Sequence, residues 1–556
     1  MSLVKKPEHP TITTEQNTPA RPLQLAGQTL IKGALILTLA GLLVRVLGAV
    51  YRIPLGRLLG DEGLGLYAIP NQYYLLFFTI SAAGIPVGVS RLVAAKVTVG
   101  AWRDAYRTFQ ITLLTMLGLG LGFSLLLYCG APFLVRVGLV ANPAALAGMR
   151  AIAPVVFFAA VTAAFRGLFQ GLQNMTAVAL SQVVDQTLLV AGTLLFSYLL
   201  LPRGLAAAAA GANFGAVPGA VAATLFMLLV FLRYRSQFRQ AVALDSSGSR
   251  ESAWQLLKKV FTVSIPISFA NVSMALTGII DNKLIIERLQ LTGYTQQQAT
   301  ALYGQLNQMA LSFINISIAF SFSLGTSLVP AVSRAHAASD HSAVRSQLRA
   351  ALRLSLLTSL PATAGLLVLA PQLTDLLFAN SAAGTPLRYL APAVLFWGLH
   401  LVLSGTLQGL GRADLPVRNL LTGIGLKIAL TWGLTPTPLG IRAAALATTA
   451  MFALAGALNV LSLRRLVGLE FRPRQDLLPA AAASALMAAA VWAAYRALLL
   501  WTGHSYPATA LAIGCGLLTY PPLLYALGGI TPSDLSRLPG PGRRLAGWLA
   551  AKTKTY

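Results

Sequence analysis

PVVFFAAVTAAFRGLFQGL, Pro154 to Leu172, and PAVLFWGLHLVLSGTLQGL, Pro392 to Leu410, are two versions of one apolar segment. Each opens on proline, closes on Gln-Gly-Leu, and is close to the roughly 20 residues that an α-helix needs to cross a hydrocarbon core of about 30 Å. Two further pairs keep the same order along the chain. Leu66-Tyr67, Asn71-Gln72 and Phe77 match Leu302-Tyr303, Asn307-Gln308 and Phe313, and VSRLVAA, Val89 to Ala95, matches VSRAHAA, Val332 to Ala338. The separation is roughly 230 to 243 residues throughout. Three matches in order argue for an internal duplication.

The composition says what is duplicated. Of 556 residues 56% are hydrophobic and only 10% charged, with a mean hydropathy of +0.69. Soluble proteins carry about 25% charged residues, so this is a polytopic membrane protein. Its runs lack the period of two that a β-barrel needs, and helices satisfy every backbone polar group within their own segment. Apolar runs fall near 29–52, 64–90, 107–130, 148–172, 177–201, 205–232, 257–286, 300–332, 350–378, 386–410, 414–434, 440–463, 477–501 and 507–530. The expected fold is therefore an all-α polytopic membrane protein of about 14 transmembrane helices. The repeat offset superposes six spans on six, giving two parallel-repeat six-helix lobes plus two C-terminal helices. Parallel repeats are frequent in transporters that rock two lobes about a central site.

The division along the chain is a disordered cytoplasmic tail (1–27), a first lobe (28–234), a cytoplasmic linker (235–256), a second lobe (257–466), two further helices (467–532) and a basic cytoplasmic tail (533–556). In a soluble chain the net charge of +26 would point to nucleic acid. Here the basic residues sort by topology: with both termini in the cytoplasm, roughly 28 Lys and Arg fall on that side and about 10 on the other, as inner-membrane proteins require. The expected location is the cytoplasmic membrane. Cys129 and Cys515 lie in or beside apolar spans and read as buried small hydrophobes without a disulfide.

Ionisable residues inside a membrane are costly and face a protein interior or a wet cavity. In GLLVRVLGAVYRIPLGRLLGDEG, Gly41 to Gly63, Arg45 and Arg52 are seven residues apart and share a helical face. Pro54 is expected to end or kink that helix, leaving Arg57 near the exterior with Asp61 and Glu62 as partners. Arg166 and Asp185 lie at comparable depth, so an ion pair competes with a functional reading. Asp281 and Lys283 cannot share a face, whereas Lys283 and Glu287 can pair. Lys427 stands mid-span with no evident partner. Asn307, Gln308, Ser312, Asn315, Ser317, Ser321 and Ser323 make the eighth span too polar for lipid; they either bond neighbouring helices or line an aqueous path. The candidate substrate-binding residues are Arg45, Arg52, Arg166, Asp185, Asp281, Lys427, Asn71 and Asn307. Their net basic balance suits an anion, and arginine suits phosphate.

No phosphate-binding GxxxxGK[ST] loop, HExxH pair or Cys/His cluster occurs, so neither an ATPase, a metal site nor a cofactor is expected, and the chain does not read as an enzyme. His336 and His341 read as solvated, and His400 as a hydrogen-bonded packing residue.

The run LIKGALILTLAGLLVRVLGAVYRIPLGRLLGDEGLGLYAIPNQYYLLFF, with GIPVGVSRLVAA and the paired FQGLQN and LQGLGRAD, resembles the stage V sporulation protein B branch of the polysaccharide transporters. That branch lies in the multidrug/oligosaccharidyl-lipid/polysaccharide exporter superfamily. The resemblance implies a V-shaped protein of two six-helix lobes plus two extra helices that moves undecaprenyl-pyrophosphate-linked sugars, lipid II among them, by alternating access; a monomer is expected. It implies a role for arginines at the positions of Arg45 and Arg52. Some relatives couple transport to sodium through carboxylates that include the eleventh helix. Lys427 occupies that helix here, so the coupling ion, sodium or proton, stays open. A cation-coupled multidrug exporter and a non-transporting envelope scaffold are the alternative readings.

Overall fold

The computed structural model describes residues 30–82, 84–245, 251–468 and 477–529. The expected tails at 1–27 and 533–556 and the middle of the linker lie outside these. The described residues are helical throughout, with no strand among them.

Every predicted run coincides with a helix or a broken helix. The first half contains α1 (Leu30–Val50), α2 (Arg52–Ala82), α3 (Ile85–Thr98), α4 (Trp102–Arg136), α5 (Leu146–Gly171), α6 (Met175–Leu200), α7 (Leu205–Phe214) and α8 (Ala216–Ala243). The second contains α9 (Ala253–Gln290), α10 (Gln296–Gly304), α11 (Leu311–Ala337), α12 (His341–Phe378), α13 (Gly384–Leu390), α14 (Ala393–Gly409), α15 (Asp414–Leu434) and α16 (Ile441–Val467). Helices α17 (Leu478–Thr502) and α18 (Ser505–Ala526) follow. Ten stretches among the described residues are long and apolar enough to cross a membrane, or 11 if the pair around α13 and α14, bent by 45°, is one span. α1 to α3 count as one of these, and α9 and α15 fall outside the set.

Local sequence sets several helix starts. Ser252 with Gln255 and Thr295 with Gln298 form capping boxes, and the side chains of Asn174 and Asp340 accept backbone N–H groups of the first turns of α6 and α12. The expected break at Pro54 comes earlier. α1 stops at Val50 and α2 begins at Arg52, so Pro54 sits in a first turn where its missing N–H costs no bond. The bend within α2 belongs instead to Gly60, at φ 65 and ψ −171.

The duplication is visible in the backbone. Residues with positive φ recur as Gly60 and Gly293, Gly100 and Ser339, Gly138 and Ala379, Gln173 and Gly411, and Gly204 and Gly440. The members of each pair are 233 to 241 residues apart. Four of the pairs stand at helix ends, and the fifth sets the bend at Gly60 within α2 against Gly293 just past α9, so both halves turn at corresponding places. Gln173 holds a conformation that its counterpart Gly411 adopts without a Cβ penalty. Packing repeats as well: α5 lies against α3, α4 and α8, as α14 lies against α11, α12 and α16. Glycines four residues apart let the backbones approach in both. A Cβ on Gly167 or Gly171 would stand 2.7 or 2.8 Å from Val89 or Val93, and one on Gly405 or Gly409 would stand 2.1 or 2.8 Å from the Gly325 carbonyl or Val332.

The halves share a single core at one end; at the other they keep separate cores, linked by the start of α9, which packs on α3. One end carries the loops rich in Lys and Arg and is called the basic end here; the opposite end is the far end. At the far end a single apolar core holds residues of both halves, including Leu55, Leu64, Ile69, Tyr303, Ile314 and Phe378. Towards the basic end the halves keep separate cores, one around Phe109, Phe165 and Phe169 and one around Val332, Leu348 and Leu407. The start of α9 belongs to the first of these through Val260. Helices α17 and α18 pack on α12 through a satellite cluster that contains Met487, Val491 and Tyr495.

Symmetry extends to the far-end seam. Asn142 and Asn380, each opening the short turn before α5 or α13, both reach across it. Asn142 donates to Thr300 at 3.0 Å and Asn380 donates to Asp61 at 3.2 Å. Gln305 donates to the same Asp61 oxygen at 2.7 Å. Arg57 does not pair with Asp61 or Glu62 as expected. It donates to the carbonyls of Leu377 and Leu376 at 2.8 and 2.7 Å, at the negative end of the α12 dipole.

Candidate functional site

The predicted ionisable residues separate into three places. Within the first half, Arg166 donates to Asp185 at 3.2 Å and to Ser181 at 2.9 Å. This pair lines a cavity of about 280 Å³ with Asn71, Tyr67 and Asn213. Asn71 donates to the Tyr67 carbonyl and to Asn213, so it braces α2 against α7. Within the second half, Lys427 bonds Asp281, a correction to its expected isolation. α15 packs on α9, which brings together residues 146 apart that no local spacing could join. Asp281 is itself buried, while Lys283 and Glu287 beside it form the expected surface pair at 3.6 Å. Asn307 accepts from Gln308 in the π-helical stretch Gln305–Ala310.

Of the candidate residues, Arg45 and Arg52 meet between the halves. Both line a cavity of about 550 Å³ with Ser312, Asn315 and Trp397 of the second half. A second cavity, of about 290 Å³, adjoins it towards the basic end and shares Leu42, Arg45, Ala319 and Phe322 with it. Among the described residues neither arginine has a carboxylate partner. Arg52 donates one bond, to Ser312 at 3.2 Å, and leaves its Nε–H buried and unbonded. The Arg45 guanidinium lies 3.8 Å from the centre of the Phe322 ring, a contact worth about 0.5–2 kcal/mol. The lining of both cavities contains no acidic residue. An orphaned donor and two guanidiniums without a carboxylate partner face this cavity, an arrangement whose chemistry suits an anion, since buried polar groups otherwise find partners.

The polar face of α11 does both things that the sequence allowed. Ser312 and Asn315 line the arginine cavity, whereas Ser321 bonds Ser355 of α12 at 2.9 Å. Ser317 turns to an apolar groove of about 440 Å³ between α12, α17 and α18. His400 is the expected packing residue, bonded to Ser404 and Asn459 at 3.3 and 3.2 Å. His336 and His341 are exposed as expected. The cysteines are not buried: both are free, Cys129 exposed and Cys515 half-buried. The sequence reading missed Phe322, whose only signal was an aromatic residue in a serine-rich stretch.

A family model described as polysaccharide biosynthesis protein matches residues 30–336. The chain belongs to the polysaccharide biosynthesis protein family. A second model, MatE, matches residues 266–432. Stage V sporulation protein B of Bacillus subtilis (strain 168) is 30% identical over 460 residues, which cover 81% of this chain and 86% of that protein. Lipid II flippase MurJ of the same organism is 24% identical, covering 72% of this chain and 76% of its own length. Among solved structures, "Lipid II flippase MurJ, inward closed conformation" superposes with a TM-score of 0.64 at 15% identity, over 88% of this chain and 98% of that one. The family member described here is thus a multi-pass membrane protein of the multidrug/oligosaccharidyl-lipid/polysaccharide exporter superfamily, with the all-α fold that the sequence implied.

Proposed function

We propose that this protein is a flippase that moves an undecaprenyl-pyrophosphate-linked oligosaccharide, lipid II in the first instance, across the cytoplasmic membrane by alternating access. The observation that carries the reading is the pair Arg45 and Arg52, both without carboxylate partners on a cavity between the halves. Two guanidiniums can hold a pyrophosphate through paired hydrogen bonds. Arg166 and Lys427 add little field of their own, because Asp185 and Asp281 offset them. They act within the lobes, where Asn71 braces α2 against α7. The lobes are the halves 28–234 and 257–466. The apolar groove between α12, α17 and α18 suits the lipid tail.

With the termini in the cytoplasm, the basic end faces the cytoplasm and the far-end seam is the closed exterior gate. The cavity then takes headgroups from the side where precursors are made. Lys427 fills with its own ammonium the place where a cation would meet Asp281, which favours a drive other than a sodium ion bound there. A monomer suffices, because the duplication supplies both lobes. A drug exporter for organic cations needs carboxylates in its cavity, and this lining has none.

The test is flipping of labelled lipid II in liposomes, together with rescue of cells depleted of their own flippase. The parent is expected to flip and to rescue. Arg45→Ala, inserted at the parental level, is expected to lose about 10- to 100-fold in rate, the worth of a charge-assisted contact. Parental flipping by Arg45→Ala overturns the assignment.

A further inference from the structure

Arg45 and Phe322 face each other from different halves. Arg45 is on α1, which packs mainly on α6, and Phe322 is on α11, which packs on α12 and α14. Their contact stands where the two adjoining cavities meet. An anion that enters from the basic end therefore reaches Arg45 before Arg52. The ring face is the partner given to the Arg45 guanidinium, which has no carboxylate or hydrogen bond among the described residues. A ring face holds a guanidinium through its quadrupole. It is a weaker partner than a phosphate oxygen, which accepts two charge-assisted bonds from the same fork.

We infer that Phe322 is a stand-in ligand for Arg45: it holds the guanidinium in the empty carrier and yields it to the anionic headgroup, so it sets affinity and release. This rests on the pyrophosphate reading of the arginine cavity and adds to it a residue with no polar group. A placeholder lowers apparent affinity by the fraction of time it occupies the cation. It also gives the cation somewhere to go when the headgroup departs. Binding therefore becomes a partner exchange, and the carrier without cargo keeps a contact between its halves at this depth. Phe322 is 37% exposed, so substitution there leaves no large void.

The experiment is a double-mutant cycle on the full chain in detergent, with farnesyl pyrophosphate as the probe and the dissociation constant read by calorimetry. Phe322→Leu is expected to bind about 3- to 30-fold more tightly than the parent, the equivalent of the lost ring contact. It is also expected to turn over more slowly in liposomes, because release is slower. Phe322→Met, close in volume but without a ring face, does the same if Leu impairs folding. Phe322→Tyr keeps the ring and restores the parental constant. In an Arg45→Ala background the Leu substitution has no effect on binding. Unchanged binding by both Phe322→Leu and Phe322→Met overturns the inference, and so does an equal gain in the Arg45→Ala background. If the parent and every variant fail to bind the probe, the pyrophosphate reading falls first and this one with it. Binding by the parent that is lost in Arg45→Ala but indifferent to Phe322 sinks the stand-in alone.

Discussion

The cavity between the halves and the polar centres inside them use the same residue types to opposite ends. Inside the first half Arg166 meets Asp185, and inside the second Lys427 meets Asp281. Between the halves Arg45 and Arg52 meet a phenyl ring, a serine and open space. A charge paired within a rigid half stays paired when the halves move relative to one another. A charge facing the seam can be given a partner by the cargo and lose it again. Intramembrane charge is thus not by itself a mark of a binding site; charge left without a carboxylate between the halves is the better candidate.

The contrast can be broken in several ways. The largest effect is expected from Lys427→Met, which strands the buried Asp281 and should cost about 3–5 kcal/mol of stability. The double variant Lys427→Met/Asp281→Leu should recover most of the thermal midpoint, since a packed apolar pair of similar volume replaces a buried ion pair with little loss. A pair that served transport directly would leave the double variant stable but inactive.

Next comes the seam itself. A Cβ at Gly65 would stand 2.2 Å from the Thr300 carbonyl, so Gly65→Ala must push α2 and α10 apart at the far end. Overpacking of this kind costs about 1–3 kcal/mol. Asn315→Cys, in a background without Cys129 and Cys515, should become more reactive from the far-end side when Gly65→Ala is added. Unchanged reactivity would mean that this close approach does not hold the far end shut.

A smaller effect is expected for Arg166→Leu combined with Asp185→Leu. The pair is partly accessible, with side chains 21% and 33% exposed, so its net worth is modest. Flipping in liposomes should stay above about half the parental rate, against the order-of-magnitude losses expected of an uncompensated arginine. A loss as large as that of Arg45→Ala would place the first-half cavity on the transport path.

The smallest effect concerns the link between the halves at the basic end. Glu251, just before α9, accepts from Lys259 and bonds Lys96, and its backbone carbonyl accepts from Arg107 at 3.0 Å. The hydrogen bonds from Lys259 and Lys96 hold its carboxyl below the ordinary value of 4.5. A depressed carboxylate stabilises the fold above the unfolded value, and that contribution fades as pH falls through the lower folded value. The thermal midpoint of Glu251→Gln should therefore lie slightly below the parent's at pH 7. The difference should close as pH drops below about 4.5. A gap that persists in acid would show that the carboxylate charge is not what pins α9 to the first half.

Much of this was legible in the sequence. Hydropathy gave the helices, and the paired Gln-Gly-Leu and VSR segments gave the duplication that the backbone repeats turn by turn. Seven-residue spacing put Arg45 and Arg52 on one face, and comparable depth suggested the Arg166 to Asp185 pair. The errors share one cause. Lys427 looked solitary because Asp281 is 146 residues away, and Arg57 was given the nearest carboxylates when its partners were carbonyls some 320 residues on. The cysteines were read as buried because an apolar sequence does not say which of its faces meets other helices and which meets lipid.

By itself, the sequence determined what repeats with a short period: which segments are helices, which residues share a helical face, and that one six-helix plan is used twice. These follow from backbone geometry and from the cost of exposed polar groups in hydrocarbon, both local in the chain. Only the tertiary structure decided which charges cancel. Coulomb attraction and hydrogen bonding depend on distance in space, and the fold alone brings α9 to α15 and α1 to α11. Among the described residues it left Arg45 and Arg52 without a carboxylate on the cavity between the halves, and it put a phenyl ring against the Arg45 guanidinium.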